Sequence, residues 1–214
     1  MGEALLFLLV GGAAVVAGLA RGGVPGGLVS TSVRAKPLAL ACLGVQAVVV
    51  ALPLRAIGLP LGLGALLLAL ALATLLGIAR ANGRLPGVPL IALGLLLNLA
   101  VVLANAGVPV SEATLNRAGI AAERPLPARP DAKHVRAGPS TRLDLLGDLL
   151  AVRPLRAVTG FATVAELAGL FLLLQHLMLE AAPFRRRERD GDGDGDAAGG
   201  AHEARTVPWS TWAD

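Results

Sequence analysis

The sequence predicts an all-α fold: a multi-pass transmembrane helix bundle of about five spans, with an amphipathic helix in an outer loop. Three observations carry the prediction. Of 214 residues, 55% are hydrophobic and only 16% charged, with a mean hydropathy of +0.69, whereas soluble domains carry roughly 25% charge. The charges are unevenly spread, with seven in 1–110, thirteen in 111–157, two in 158–180 and twelve in 181–214. Finally, the stretches 4–20, 38–54, 61–79, 88–106 and 158–178 approach the roughly 20 apolar residues that cross a bilayer. They define an integral membrane domain over 1–180, with an outer loop at 107–157 and a disordered cytoplasmic tail over 181–214.

The first span, Ala4 to Ala20, has no charge, and Gly11, Gly12 and Gly18 suit a membrane helix better than a soluble one. Gly18-Leu19-Ala20 has small residues at a signal-cleavage spacing, but Glu3 and the lack of a preceding cation reverse the usual secretory pattern, so the span is read as retained. Ala14-x-x-x-Gly18 permits a close helix contact; the abundance of alanine and glycine is the plain alternative. Pro37, Pro60 and Pro86 stand near the starts of spans two, three and four, where a missing N–H costs nothing. Pro53 falls in the last turn of span two, where a kink or early end is expected. Span three, with Leu66 to Leu68, Leu75, Leu76 and only Thr74 as a polar interruption, is expected to face lipid.

In the outer segment, leucines at 143, 146 and 150, flanked by Leu145 and Leu149, follow a helical stripe. Thr141 stands at the N-cap position and Asp144 at the capping-box position. This is the expected amphipathic helix, lying on the membrane or the bundle. Before it, Arg124, Arg129, Lys133, His134 and Arg136 alternate with Pro125, Pro127, Pro130 and Pro139 in what reads as a solvated basic loop, lipid phosphates being the other reading. The tail holds Arg185 to Arg187 and then Asp190 to Asp196 in alternation with glycine. That run begins like an EF-hand loop, but Ala201 stands where the bidentate carboxylate belongs.

Cations in short loops set orientation. Arg21, Arg34 and Lys36, then Arg80 and Arg84, then Arg185 to Arg187 and Arg189 all fall on one side of a five-span bundle. The expected topology in a bacterial cell membrane is therefore N-terminus outside and C-terminus cytoplasmic. The basic pI near 10.5 reflects these flanking residues rather than a nucleic-acid partner.

Glu166 is the ionisable group expected inside a span, near the membrane midplane, and such groups are functional candidates because burying them in lipid costs several kcal/mol. Gln46 and Asn98 lie near the centres of spans two and four, and Thr159 and Thr163 share the Glu166 face. Gln46, Asn98 and Glu166 form a candidate polar cluster: either a site for a proton, ion or small ligand, or a set of interhelical hydrogen bonds. A lone carboxylate without an intramembrane cation favours the second. Nucleophile-elbow, HExxH and phosphate-loop patterns are absent, Cys42 is single, and the histidines are scattered, so no catalytic, metal or cofactor site is expected.

The run from Asn98 through Asn105, Gly107, Pro109 and Val110, followed by Leu115, Ala118-Gly119, Lys133-His134, and Thr141-x-Leu143 with Gly147-Asp148, resembles the domain-of-unknown-function 5317 family. The resemblance covers roughly 1–180. It implies a bundle of spans with a histidine-bearing outer loop, and singles out Asn98, Asn105, Gly107, Pro109, His134, Thr141 and Asp148 without assigning them an activity. This chain departs from the pattern at Asn105-Ala106-Gly107 and at Gly160-Phe161, where the family implies Gly-Asp; a role of that Asp would be lost or moved to Glu166. The expected function is a non-enzymatic binding or assembly component of the bilayer, docking a membrane partner or lipid headgroups through the outer loop. The alternatives are a transporter or channel component using Glu166, and a lipid-modifying enzyme, which requires Asp148 and His134 to converge.

Overall fold

The computed structural model describes residues 2–30, 33–51, 60–120 and 133–181. The long helices are α1 (Gly2–Ala20), α3 (Lys36–Ala51), α4 (Leu61–Ala81), α5 (Val88–Asn105) and α7 (Phe161–Glu180); α2 (Gly27–Ser30) and α6 (Glu112–Arg117) are short. Among the described residues, four short strands, β1 (Val108–Val110), β2 (His134–Arg136), β3 (Leu150–Val152) and β4 (Ala157–Thr159), lie between α5 and α7. The fold is mostly helical, and α1, α4, α5 and α7 contain stretches long and apolar enough to cross a membrane, while α3 has a shorter apolar helix over Lys36–Val48. The readings of Pro53, of 121–132 and of the tail beyond Ala181 fall outside the described residues.

The long helices pack in the spatial order α3, α4, α5, α7, α1. Their outer surfaces are apolar as well as their inner ones, with Leu8, Val16, Leu40, Leu66 and Leu103 all exposed; a helix apolar all round belongs in a large core or a bilayer. The expectation that span three is the lipid-facing helix is corrected. Only 11% of the α1 window is buried against 33% for α4, because α4 has α3 on one flank and α5 on the other, whereas α1 ends the row.

The α5 and α7 backbones approach as closely as glycine permits. A Cβ on Gly94 would collide with the Ala162 carbonyl and the Glu166 side chain, and one on Gly169 would collide with Gly87 and Ile91. Gly87 also adopts φ +85°, a left-handed conformation that side chains disfavour. On the other flank of α7, Ala14 is fully buried, and a Cβ on Gly18 would stand 2.8 Å from the Met178 sulfur.

The two ends of the bundle differ. At the open end, Val24 N–H donates to the Met178 carbonyl (3.0 Å), and Asn82 binds both the N–H (2.8 Å) and C=O (3.2 Å) of Arg34. At the other end the chain between α5 and α7 folds into a cap. Within it β1 pairs with β2 in parallel, a bridge joins Val110 to Asp148, and β3 pairs with β4 in antiparallel register.

The expected amphipathic helix at 141–150 is not present. Residues Asp144–Leu146 form one 3-10 turn, Leu143 is left-handed (φ +57°), Gly147 is extended and Leu150 opens β3. Two restraints explain the difference. Asn105 occupies the N–H and C=O of Arg142, each at 2.8 Å, and the Asp148 N–H donates to the Pro109 carbonyl (3.1 Å). Those backbone groups are unavailable to a helical ladder. Thr141 accordingly accepts from the Gly138 N–H (2.7 Å) instead of capping a helix. The cap's one α-helix among the described residues is α6, which the leucine pattern does not announce; Ser111 caps it by accepting from the Thr114 N–H (3.1 Å).

Replacing Gly94 or Gly169 by Leu is expected to destabilise the protein by about 2–3 kcal/mol, lowering its thermal midpoint in detergent by roughly 4–12 °C. Gly12→Ala, with open space around the position, is expected to leave the midpoint unchanged or slightly higher.

Candidate functional site

Glu166 and Asn98 face each other across the α5–α7 contact, the Asn98 amide donating to the Glu166 carboxylate at 2.8 Å. Glu166 is the sixth residue of α7, about 7.5 Å along the helix axis at 1.5 Å per residue. Asn98 lies seven residues before the end of α5, about 10.5 Å from it. Glu166 therefore lies nearer the capped end of α7 than its middle, whereas Asn98 is close to the middle of α5. Gln46 is placed apart, on α3, which packs against α4. Its Nε2 is buried with no hydrogen-bond partner among the described residues. Thr163 and Thr159 are both buried, and the Thr159 hydroxyl is likewise unpartnered among the described residues.

The cap supplies the cation that the span lacks. Lys133, expected in a solvated loop, has a side chain only 11% exposed and forms an ion pair with Glu3 at the start of α1. Burial pulls the Lys133 ammonium toward its neutral form, but the charge of Glu3, that of Asp148, the Glu3 hydrogen bond and the charge of Glu166 together outweigh it and hold the pKa above the ordinary 10.5. The next residue, His134, contacts Asp148 (Nε2 to Oδ2, 3.1 Å), whose side chain is 3% exposed. Asp148 also lies beside Gly160, where a Cβ would stand 3.4 Å from its Oδ1. Gly160 is the N-cap of α7, and a carboxylate is favoured at such an end by the helix dipole.

The remaining family-motif residues are structural in placement. Asn105 ties the end of α5 to Arg142. A Cβ on Gly107 would press on Val135 and on the Lys133 carbonyl, so this glycine lets the chain pass the residue that carries the buried ammonium. Pro109 is the middle residue of β1, opposite Val135. Phe161 is 53% exposed, while Glu166 is turned to α5, so the two positions do not substitute for one another. At the open end, Gln175 accepts from Arg21 and His176 pairs with Glu180 (3.3 Å).

Sequence reasoning found Asn98, Glu166, His134 and Asp148 but gave Glu3 and Lys133 no site role. Their signals were a lone acid before an apolar span and, beside His134 in the run that carries the resemblance, one of only two lysines in an arginine-rich chain. Chemically, the junction offers an oriented imidazole–carboxylate pair and an ammonium among carboxylates. The described residues contain no group of three or more His, Cys, Asp and Glu placed to hold a metal ion.

A family model, described as a family of unknown function (DUF5317), matches residues 30–161. The match takes in α3 to β4 and, of the junction, Asn98, Lys133, His134 and Asp148. No curated protein and no solved structure matches the chain.

Because the Lys133 pKa is raised, its protonation stabilises the fold fully below the ordinary lysine value of 10.5, and that contribution is lost as pH rises through the higher folded value. Unfolding followed from pH 8 to about 12 should therefore show a loss of stability in the upper part of that range which Lys133→Met removes. At pH 8 the same substitution is expected to cost about 1.5–3 kcal/mol, the range for a charge-assisted hydrogen bond, since it leaves the half-buried Glu3 without its partner.

Proposed function

We propose that this chain, which belongs to the DUF5317 family, is a non-enzymatic binding or assembly component of the bacterial plasma membrane. Its N-terminus lies outside, its C-terminus lies in the cytoplasm, and its outer cap docks a membrane partner or lipid headgroups. The apolar outer faces of the long helices support a bilayer setting. Orientation is supported by Arg21, Arg34, Lys36, Arg80 and Arg84, which the chain brings to the open end, the side that faces the cytoplasm under the positive-inside rule.

The observation that carries the functional reading is the junction. Glu166 is bonded to Asn98, Lys133 to Glu3 and His134 to Asp148, so polar groups from α1, α5, α7 and the cap satisfy one another. Such a network clamps a folded cap in one pose, as a docking surface requires. It leaves Leu143 and Leu145 outward, 47% and 75% exposed.

A second reading, proton-linked or small-solute transport through Glu166, gains from the same structure, because Lys133 is the cation the span lacked. Ionisable groups stand at both ends of α7, Glu166 toward the cap and His176 and Glu180 at the open end, but between Glu166 and Gln175 the helix is apolar and offers a proton or ion no intermediate site. The lipid-modifying reading has its His134–Asp148 contact, but that bond also joins β2 to the β1 bridge at Asp148 and so belongs to the cap's architecture.

Three experiments test the orientation and separate these readings. A cysteine at Ser140 should react with a membrane-impermeant maleimide on intact cells, and one at Gly83 should not; labelling at 83 from outside overturns the orientation. A photo-cross-linker at Leu145 should give a discrete adduct in membranes that Lys133→Met abolishes, whereas an adduct indifferent to the clamp contradicts the docking role. If Glu166→Gln abolishes flux in proteoliposomes that the wild type supports, transport replaces docking.

A further inference from the structure

At the open end, a groove of about 470 Å³ lies between α4 and α5, lined by Leu76, Ala79, Arg80, Gly83, Val88 and Ala92 among others. Its walls are apolar apart from the single cation Arg80. The residue after Gly83 is Arg84, and both arginines are exposed. Among the described residues neither Arg80 nor Arg84 forms an ion pair. The Asn82 side chain meanwhile holds the Arg34 backbone against the same turn, bringing another exposed cation close to it.

We infer that this groove is a binding site for an anionic phospholipid of the leaflet at the open end. One acyl chain lies along Leu76, Ala79, Val88 and Ala92, and the phosphate sits at Arg80 with Arg84 beside it. Charge complementarity identifies the occupant. An apolar groove alone would accept any lipid tail, but the exposed Arg80 in its wall, with a second exposed arginine next in sequence to the lining residue Gly83, selects a head carrying net negative charge, and basic pockets between helices on the cytoplasmic side recognise such heads. Arginine suits the task because its planar fork matches phosphate geometry. The site lies at the opposite end of the bundle from the ionic junction. The inference rests on the membrane reading above, and its test keeps the two failures apart.

The full chain is reconstituted in nanodiscs of phosphatidylcholine, with or without phosphatidylglycerol, and the retained lipids are identified by native mass spectrometry. Phosphatidylglycerol should be retained preferentially. Arg80→Ala and Arg84→Ala should each weaken retention about fivefold, the effect of roughly 1 kcal/mol per basic residue near an anionic surface. Arg80→Lys should keep most of the preference, and Arg153→Ala, in the cap, all of it. Ala92→Leu, which narrows the groove with the arginines intact, should also reduce retention, and a thermal melt of each variant confirms that it is folded. Excess inorganic phosphate should not displace the lipid. Equal retention of the two lipids, indifference to Arg80→Ala and Arg84→Ala, or displacement by phosphate each overturns the site. A chain that fails to enter nanodiscs undoes the membrane reading instead.

Discussion

The rest of the structure depends on how closely α5 and α7 approach. Gly94 and Gly169 let one backbone rest on the other, and only at that separation does the Glu166 carboxylate reach the Asn98 amide. Between helices surrounded by hydrocarbon, dispersion and hydrogen bonding replace the hydrophobic effect as the source of association, so small residues and a polar pair at one contact reinforce each other. The same contact places the cap. β1 begins three residues after Asn105 and β4 ends one residue before the α7 N-cap is passed, so the cap is stretched between two helix ends whose spacing the glycines determine. Gly147 and Gly160 continue the close packing into it, each too near neighbouring carbonyl oxygens to accept a side chain without movement.

On that frame the charges become intelligible. An isolated carboxylate at the Glu166 depth is costly, and the protein answers with an amide from α5 and the nearby positive charge of Lys133 from the cap. Lys133 is itself stable in burial only because Glu3 comes from a third direction. Such an arrangement adds little net stability over an apolar core of equal volume, but losing one member strands the others. Its consequence is specificity of pose: the cap has one seat on the bundle.

Much of the helical architecture was legible in the sequence, because a run of apolar residues broken by charged turns has few other solutions. The ends of α4 and α5 fall within a few residues of the stretches read from hydropathy. The cap was not legible. Its leucine stripe at 143–150 has the helical period, yet side chain to backbone bonds from Asn105, 37 positions before Arg142 in sequence but adjacent in space, override that local preference. The junction was half legible. Glu166 and Asn98 stand out as polar residues in apolar helices, whereas Lys133 and Glu3 lie 130 positions apart in segments whose composition gives no reason to pair them. Gln46 shows the opposite failure, a polar residue at a plausible depth on a helix one place too far along the row.

The central claim is that Asn98 and Glu166 act as one coupled pair across the α5–α7 contact. A double-mutant cycle of Asn98→Ala and Glu166→Ala on unfolding free energy in detergent measures it directly. The account predicts a coupling of about 1–3 kcal/mol; additivity of the two single effects within about 0.5 kcal/mol would contradict it.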